Sequence, residues 1–350
     1  MTEKNRSKKG NIISFAVMLI IIGLTLYLIF RDYSPAMIFQ TVKENNLIYI
    51  GLALILMLVY VLLEAASIRT ITRSFGEKTS YRKAISYSAS DLYFSAITPS
   101  SEGGQPMMIY AMKRDGISIS RSTVTAVLFT NMFTSGLLIC TGIAIILHPE
   151  LLYTDDLLFK ICFILGVVVS VILFVGCLLL LRFGHTMEKL GVKIIGFLHK
   201  IHLIRNEEKY LRKLKVSVAD FAACSEYIKA HPILTVKVLI LATLQRIVYF
   251  SVPYFIYLSF GFTRASFFYI FAVQAITQIA VYAMPIPGSA GITEKMLILM
   301  YEPIYYSEDL AISAMLLVRA ATFYFTVFFC GTITLIDNMV HKKTQREESL

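Results

Sequence analysis

The chain of 350 residues is 57% hydrophobic and 16% charged, and it carries a formal net charge of +10. About 25% of the residues of a soluble domain are charged, so this composition excludes a soluble protein and predicts an integral membrane protein. The positive charge does not indicate nucleic-acid binding. The Lys and Arg residues stand between the apolar segments, where they follow the positive-inside pattern and attract anionic lipid headgroups.

The first apolar segment, residues 12–30, is long enough to span a bilayer as a helix, which takes roughly 17–25 residues. Four basic residues precede it, Lys4, Arg6, Lys8 and Lys9, as in many signal peptides. The segment is longer than the apolar part of a usual signal peptide, and no small-residue cleavage site follows it. We therefore predict a retained first helix with a cytoplasmic N-terminus.

The next segments are separated by basic connections, and the positive-inside rule gives each of them a direction. A helix at residues 47–63 leads to the basic segment 69–83, which is predicted to be cytoplasmic. Residues 113–121 are also basic, so the apolar stretch 84–112 starts and ends on the same side. It is predicted to be a re-entrant hairpin that enters from the cytoplasm and turns near Pro99.

Two further spanning helices are predicted at residues 124–147 and 157–181, joined by an acidic external connection. Residues 182–231 then contain an excess of Lys and Arg, and their apolar residues have the spacing of amphipathic helices. This linker is predicted to be cytoplasmic. It lies either along the lipid headgroups or beneath the bundle as a packed helical hairpin, and both alternatives stay open.

The C-terminal third follows the same rule. A helix at residues 233–260 runs outward, and a helix at 311–336 runs inward to a polar tail at 341–350 that contains basic residues. Residues 265–300 must then begin and end outside. They are predicted to form a second hairpin that turns near Pro285.

These elements predict an all-α polytopic membrane protein with about six spanning helices and two opposed re-entrant hairpins. They form a single membrane domain over residues 1–340. Its first half, residues 47–147, and its second half, residues 233–336, contain the same elements in opposite orientation. That arrangement is typical of an inverted repeat with a binding site near the membrane midplane. Both termini are predicted to be cytoplasmic.

Each hairpin turn is rich in Gly, Pro and polar residues. Non-helical backbone at membrane depth is tolerated only where it is buried in protein or lines a wet cavity. A pair of such breaks in corresponding places of two halves indicates a transport site. The residues predicted to shape the turns are Pro99, Gly103, Gly104, Pro285, Pro287, Gly288 and Gly291.

Ionisable residues inside the apolar segments are costly to bury and by default mark a pathway. A guanidinium group suits a lipid phosphate, because its planar fork binds two oxygens at once, and a carboxylate at a break can balance it or pair with a cationic headgroup. The alternative that these charges only join helices stays open. The predicted substrate-binding residues are Arg246, Arg319, Glu102, Glu294, Ser100, Ser101 and Gln105, with Glu64 and Asp91 as weaker candidates.

Cysteine and histidine give no sign of a metal or redox site. The five Cys residues form no CxxC pair, and the six His residues are scattered without ligand spacing. Four of the cysteines lie in apolar segments and are predicted to be buried small hydrophobic residues. No metal, disulfide or cofactor is predicted.

The residues around the two breaks, 97–118 and 284–294, resemble the lysylphosphatidylglycerol synthase transmembrane family. These flippase-like membrane proteins include the flippase half of the multiple peptide resistance factor. The resemblance implies a multi-pass protein of a bacterial-type plasma membrane. It also implies movement of an anionic or aminoacylated phospholipid, such as lysylphosphatidylglycerol, between leaflets, which contributes to envelope charge and to resistance against cationic peptides.

Members of that family that synthesise the lipid carry a large aminoacyl-transferase domain after the membrane part. Only a short polar stretch follows the last predicted helix here, so we expect transport without lysyltransferase activity, with a separate enzyme modifying the lipid. Four alternatives stay open. They are transport of a polyprenyl-phosphate carrier, a role as the membrane part of a phosphatidylglycerol lysyltransferase system, an intramembrane enzyme using Ser100, Ser101 and Glu102, and an accessory subunit with structural breaks.

Overall fold

The structure, a computed structural model, describes residues 41–98, 103–182, 207–282, 284 and 291–347. Within these ranges the regular secondary structure is helical, without β-strands. The predicted first helix at residues 12–30 lies outside the described residues. The helices are α1 Leu47–Ser74, α2 Tyr81–Ile97, α3 Gly104–Arg114, α4 Ile119–Leu147, α5 Leu157–Arg182, α6 Glu207–Ala230, α7 Pro232–Ser259, α8 Phe267–Val281, α9 Ile292–Tyr305, α10 Glu308–Arg319 and α11 Phe325–Glu347.

Five helical segments in the described part of the chain are long and apolar enough to cross a membrane. A π-helical turn, Ala320–Tyr324, joins α10 and α11 into the last of them. The prediction of an all-α polytopic membrane protein is therefore confirmed. The five segments are Leu47–Ser74, Ile119–Leu147, Leu157–Leu181, Pro232–Ser259 and Glu308–His341.

Several helices begin at a polar residue whose side chain caps the first turn. Asn46 accepts a hydrogen bond from the Ile48 amide at 3.0 Å before α1, and Ser80 accepts one from Lys83 at the start of α2. Ser118 and Ser266 cap α4 and α8 in the same way. Such a side chain satisfies one of the backbone N–H groups that a helix start leaves without a partner. These caps set where the chain leaves each connection and enters the bundle.

Helices α1 and α7 form an antiparallel pair in the centre of the bundle. The Asn46 amide at the start of α1 donates to the Ser259 carbonyl oxygen at the end of α7, at 3.0 Å. Near the opposite end, the Phe75 ring after α1 and the Tyr227 ring on α6, shortly before α7 begins, meet edge to face with centroids 5.9 Å apart. The pair gives the molecule two defined ends against which both hairpins can be placed.

The first hairpin, α2 and α3, opens at the end of the bundle where α1 finishes. Its two ends meet there, because Asp115 after α3 lies 3.5 Å from the Lys83 ammonium and accepts a 2.8 Å hydrogen bond from the Tyr87 hydroxyl. The same base is tied to α11, where Arg114 pairs with Asp337 and the His341 ring lies 2.7 Å from Asp115.

The second hairpin, α8 and α9, opens at the other end of the bundle, where α7 finishes. Its base is aromatic. The Phe262 ring before α8 and the Tyr305 ring at the end of α9 have centroids 5.6 Å apart, and the Tyr257 hydroxyl accepts a 2.9 Å hydrogen bond from the Ala265 amide. The two hairpins thus enter from opposite ends, as predicted. The helices of the first hairpin extend two to three residues beyond the predicted limits of 84–112 at each end, and those of the second begin two residues after the predicted start at 265 and end five residues after the predicted end at 300.

The described part of the linker that is predicted to be cytoplasmic favours one of its two predicted arrangements. Phe221, Cys224 and Ile228 on α6 are buried in one cluster with Val124 and Leu128 on α4. Helix α6 therefore packs against the bundle as a structural helix. Residues 183–206 lie outside the described residues. At the C-terminus, α11 continues to Glu347, so most of the predicted polar tail is helical.

Close packing joins α5 to the second hairpin. A Cβ atom built on Gly166 would lie 1.7 Å from the Ile279 carbonyl oxygen on α8, whereas one built on Gly176 in the same helix meets nothing within 4 Å. A small residue at such a crossing lets two helix backbones approach each other within a membrane.

We expect Gly166→Ala to lower thermal stability in detergent, because the added methyl group forces two backbones apart. Overpacking of this kind typically destabilises by about 1–3 kcal/mol. The matched control is Gly176→Ala, which gains helix propensity without a clash and should leave the melting temperature unchanged or slightly raised. Equal melting temperatures for the two variants would contradict the close α5–α8 contact.

The sidedness of the two hairpins remains a prediction from loop charge. We expect a Cys introduced at Ser307 to react with a membrane-impermeant maleimide from outside intact cells, and a Cys at the exposed Lys78 to react only after the cytoplasmic face is opened. The described native cysteines are buried or half-buried, which keeps the background low. Labelling of the Ser307 position only from the cytoplasmic side would reverse the proposed orientation.

Candidate functional site

A cavity of about 170 Å³ lies between the tips of the two hairpins. The end of α2 and the end of α8 both contribute to its wall, so the two opposed hairpins meet here, and α1, α7, α9 and the last span close the remaining sides. The lining residues are Met57, Tyr60, Leu92, Ser95, Ala96, Tyr249, Gln278, Val281, Thr293, Arg319, Thr322, Phe323 and Thr326.

The charge in the cavity wall comes from Arg319, which is 6% exposed. Its Nε atom lies 2.8 Å from Oε1 of Glu294 in the first turn of α9. The other Glu294 oxygen accepts a 2.6 Å hydrogen bond from the Gly291 amide. Glu294 therefore caps the helix that returns from the second break and neutralises the buried guanidinium. The structure brings these two predicted site residues into direct contact.

The last span changes its helical geometry at this point. The π-helical turn Ala320–Tyr324 begins directly after Arg319, and the guanidinium carbon of Arg319 lies 4.4 Å from the centroid of the Phe323 ring. Thr322 and Thr326 line the cavity from the same face. Single π-helical turns inside α-helices occur frequently at functional sites. The π-helical turn and the residues next to it thus place the Arg319 guanidinium, the Phe323 ring and the hydroxyl groups of Thr322 and Thr326 in the cavity wall.

A second polar cluster lies one helical turn behind the cavity wall. Glu64 is 1% exposed and Asp91 is 7% exposed, and the two carboxyl groups are within hydrogen-bond reach of each other. Gln245 on α7 donates a 2.9 Å hydrogen bond to Glu64 Oε2. Tyr60 lies one turn from Glu64 on α1, and Ser95 lies one turn from Asp91 on α2, and both line the cavity.

The remaining predicted site residues lie elsewhere. Arg246 faces α4, where its guanidinium carbon is 3.5 Å from the Phe133 ring centroid and its Nε donates to the Phe133 carbonyl oxygen at 3.4 Å. Gln105 donates a 2.6 Å hydrogen bond to the Thr130 hydroxyl. Arg246 thus packs between α7 and α4, whereas Arg319 lines the cavity.

The glycines of the breaks have separate structural tasks. A Cβ atom on Gly104 would lie 2.3 Å from Asp91 Oδ1 and 2.0 Å from the Ser95 hydroxyl oxygen, so only glycine permits α3 to start against α2. Gly291 has φ +82°, a conformation that glycine adopts without strain. Gly103 donates its amide to the Thr98 hydroxyl at 2.9 Å. The predicted residues Pro99, Ser100, Ser101, Glu102, Pro285, Pro287 and Gly288 lie outside the described residues.

Several polar residues of the site were not predicted, although the sequence pattern around some of them indicates a buried polar position. Gln274 and Gln278 are spaced four apart in an otherwise apolar helix, which places them on one face. Gln274 accepts a hydrogen bond from the Tyr301 hydroxyl at 3.1 Å, and Gln278 lines the cavity. Gln245 stands beside Arg246 inside an apolar span. Buried polar side chains of this kind deserve the same weight as charges.

The fold and the site define a polytopic α-helical membrane protein with two opposed hairpins around a small charged cavity. The chain belongs to the family described as lysylphosphatidylglycerol synthase TM region, which matches residues 11–330. It is also similar to a protein named UPF0104 membrane protein from Archaeoglobus fulgidus. The two are 22% identical over 324 residues, which cover 90% of this chain and 94% of that protein.

A double-mutant cycle tests the Arg319–Glu294 pair. Glu294→Gln keeps a side-chain oxygen for the α9 cap and leaves Arg319 without its charge partner, so it should destabilise the protein by on the order of 3 kcal/mol. Arg319→Met should destabilise by a similar amount. In the double variant the two effects should overlap by about 1–3 kcal/mol, measured by unfolding in detergent. Additive effects would show that the two charges are not coupled.

Proposed function

We propose that this protein moves a phospholipid between leaflets, with the lipid headgroup passing through the cavity between the hairpin tips. The observation that carries the proposal is the buried Arg319–Glu294 pair between two helix breaks that enter from opposite ends of the bundle. Irregular backbone and ion pairs at this depth are typical of transport sites. Membership of the family supports a role at the membrane, and the chemistry of the site indicates the class of substrate.

The size of the cavity favours a headgroup over a whole lipid. Pockets for drug-sized ligands occupy about 300–1,000 Å³, whereas this cavity has a volume of about 170 Å³. A space of that scale holds the phosphate and the part of a headgroup next to it, and it does not hold two acyl chains. The acyl chains would therefore remain in the hydrocarbon region while the headgroup crosses, which lowers the barrier of bringing a charged group through the bilayer.

The charges of the site favour a headgroup that carries both signs. Arg319 can bind phosphate oxygens through its planar fork, but a phosphate that displaces Glu294 leaves that carboxylate without its cation. A headgroup that also presents an ammonium group restores the balance, because the ammonium pairs with Glu294. An aminoacylated phospholipid such as lysylphosphatidylglycerol has this combination. Its transport would contribute to envelope charge and to resistance against cationic peptides.

A polyprenyl-phosphate carrier is the second candidate, and the Arg319 site serves its phosphate equally well. It lacks the ammonium group, so Glu294 would stay unpaired in that complex. A lipid-modifying enzyme fits less well, because it needs a nucleophile beside a general base. Among the described lining residues, Ser95, Thr293, Thr322 and Thr326 offer hydroxyl groups and no His stands with them. A separate enzyme would then supply the aminoacylated lipid.

Reconstituted vesicles test the proposal. Lysylphosphatidylglycerol that reaches the outer leaflet is measured with an impermeant amine-reactive reagent. We expect the wild-type protein to deliver it, and Arg319→Lys to fold yet lose at least about tenfold in initial rate, about 1.4 kcal/mol, because an ammonium group cannot bind phosphate through a fork. The control is Arg264→Lys, which changes an exposed arginine before α8.

Three outcomes separate the candidates. Delivery of lysylphosphatidylglycerol that depends on Arg319 supports the proposal. If the protein delivers a polyprenyl phosphate in vesicles that contain it, and does not deliver lysylphosphatidylglycerol, the substrate is the polyprenyl phosphate and not the aminoacylated phospholipid. Equal rates for protein-free vesicles, wild-type protein and Arg319→Lys would refute lipid transport through this site.

A further inference from the structure

The Glu64–Asp91 cluster has chemistry that the proposed lipid site does not use. Both carboxyl groups are buried, on α1 and α2 respectively, and they lie within hydrogen-bond reach of each other. One buried oxygen of each, Glu64 Oε1 and Asp91 Oδ1, has no hydrogen-bond donor among the described residues. Two carboxylates this close repel each other strongly unless a proton lies between them.

Groups from five helices surround the two carboxyl groups. Among the described residues, none in direct contact with the pair is a cation that would balance two negative charges. Helix α1 contributes Tyr60, α2 contributes the Ser88 hydroxyl, and α11 contributes Cys330. The start of α3 approaches Asp91 at Gly104. From α7 come Gln245, bonded to Glu64, and the guanidinium group of Arg246, which stacks on Phe133. The contacts of the pair itself are thus with neutral groups.

The contact with Gln245 favours a proton over a metal cation. Gln245 presents its amide N–H to Glu64, whereas a sodium ion would require oxygen atoms on every side. A proton shared by two carboxyl groups needs no further ligands. It also supplies the donor that both unpaired oxygens lack.

We propose that Glu64 and Asp91 form a site for one exchangeable proton, and that exchange of this proton drives lipid movement through the neighbouring cavity. The coupling part rests on the proposed transport function, whereas the proton site itself does not. Proton relays in membrane transporters are built from acidic residues in the interior of the helical bundle.

The Glu64–Asp91 pair lies close to both the tip of the first hairpin and the wall of the cavity. Asp91 Oδ1 lies 2.3 Å from the position that a Cβ on Gly104 would take, so the carboxyl group touches the start of α3 at the tip of the first hairpin. Release of the proton places two negative charges side by side and draws Asp91 toward the positive N-terminal end of α3. Tyr60 and Ser95, one turn away on the same helices, transmit that change to the cavity wall.

The first experiment measures the proton without any lipid transport. Infrared difference spectra of the purified protein in vesicles, recorded on raising the pH, should contain the loss of a protonated carboxyl band. The band should be absent from Glu64→Gln and from Asp91→Asn, both of which keep the side-chain shape. It should persist in Glu302→Gln, which changes an exposed carboxylate on α9. A spectrum without such a band in the wild-type protein would overturn the proton site.

The second experiment measures coupling in the vesicles that report delivery of lysylphosphatidylglycerol. A gradient of one pH unit is a tenfold ratio of proton activity, and we expect it to raise the initial rate several-fold in the wild-type protein and in Glu302→Gln. In Glu64→Gln and Asp91→Asn the rate should be the same with and without the gradient.

The possible results distinguish this inference from the proposed function. Lipid movement that ignores the pH gradient, or that follows a sodium gradient instead, overturns proton coupling and leaves lipid transport intact. A carboxyl band that responds to pH in a protein that moves no lipid retains the proton site and removes the transport function. If the single variants fail to fold, the wild-type infrared band and its response to pH still decide the proton site.

Discussion

The contact between Arg319 and Glu294 is the interaction on which the centre of this molecule depends. A guanidinium group buried in the bundle needs a counter-charge, because removing one partner of a buried ion pair is strongly destabilising. Glu294 meets that need from the first turn of α9 and at the same time closes the helix start through the Gly291 amide. One carboxylate therefore fixes the end of the second break, the rotation of α9 and its distance from the last span.

The two hairpins are held at their bases by different interactions. The first base uses charges, with Asp115 between Lys83, Tyr87 and His341. The second base uses aromatic contacts among Tyr257, Phe262 and Tyr305. Both sets act at the ends of the bundle, so the tips meet in the middle without a covalent link between them. Their meeting point is the cavity.

The polar groups at the centre are divided into two electrically different clusters. One contains a cation and its carboxylate partner and lines the cavity, whereas the other contains two carboxyl groups and lies behind it. Tyr60 connects them, because it is on the cavity wall and one helical turn from Glu64. A ligand with phosphate chemistry is suited to the first cluster, and a proton is suited to the second. Their separation by one turn of helix allows each to affect the other.

Much of the architecture followed from the sequence. The apolar lengths predicted the spans, and the charges of the connections predicted two hairpins with opposed entry. The Gly and Pro residues predicted the breaks, with α3 beginning at Gly104 and α9 directly after Gly291. These features depend on local composition, which the membrane constrains strongly because every backbone polar group within it needs an internal partner. Arg319, Glu294, Glu64 and Asp91 were also predicted as site residues from their charge within apolar segments.

The partners of those charges were decided by the tertiary structure. Gln245 lies 181 residues from the Glu64 carboxyl group to which it donates, and no local pattern relates the two positions. Arg246 and Arg319 look alike in sequence, yet one stacks on Phe133 and the other lines the cavity. The rotation of each helix about its axis determines which neighbour a side chain meets, and close packing across several helices fixes that rotation. Composition and periodicity thus determine where the chain crosses the membrane, and packing determines which buried charges share a site.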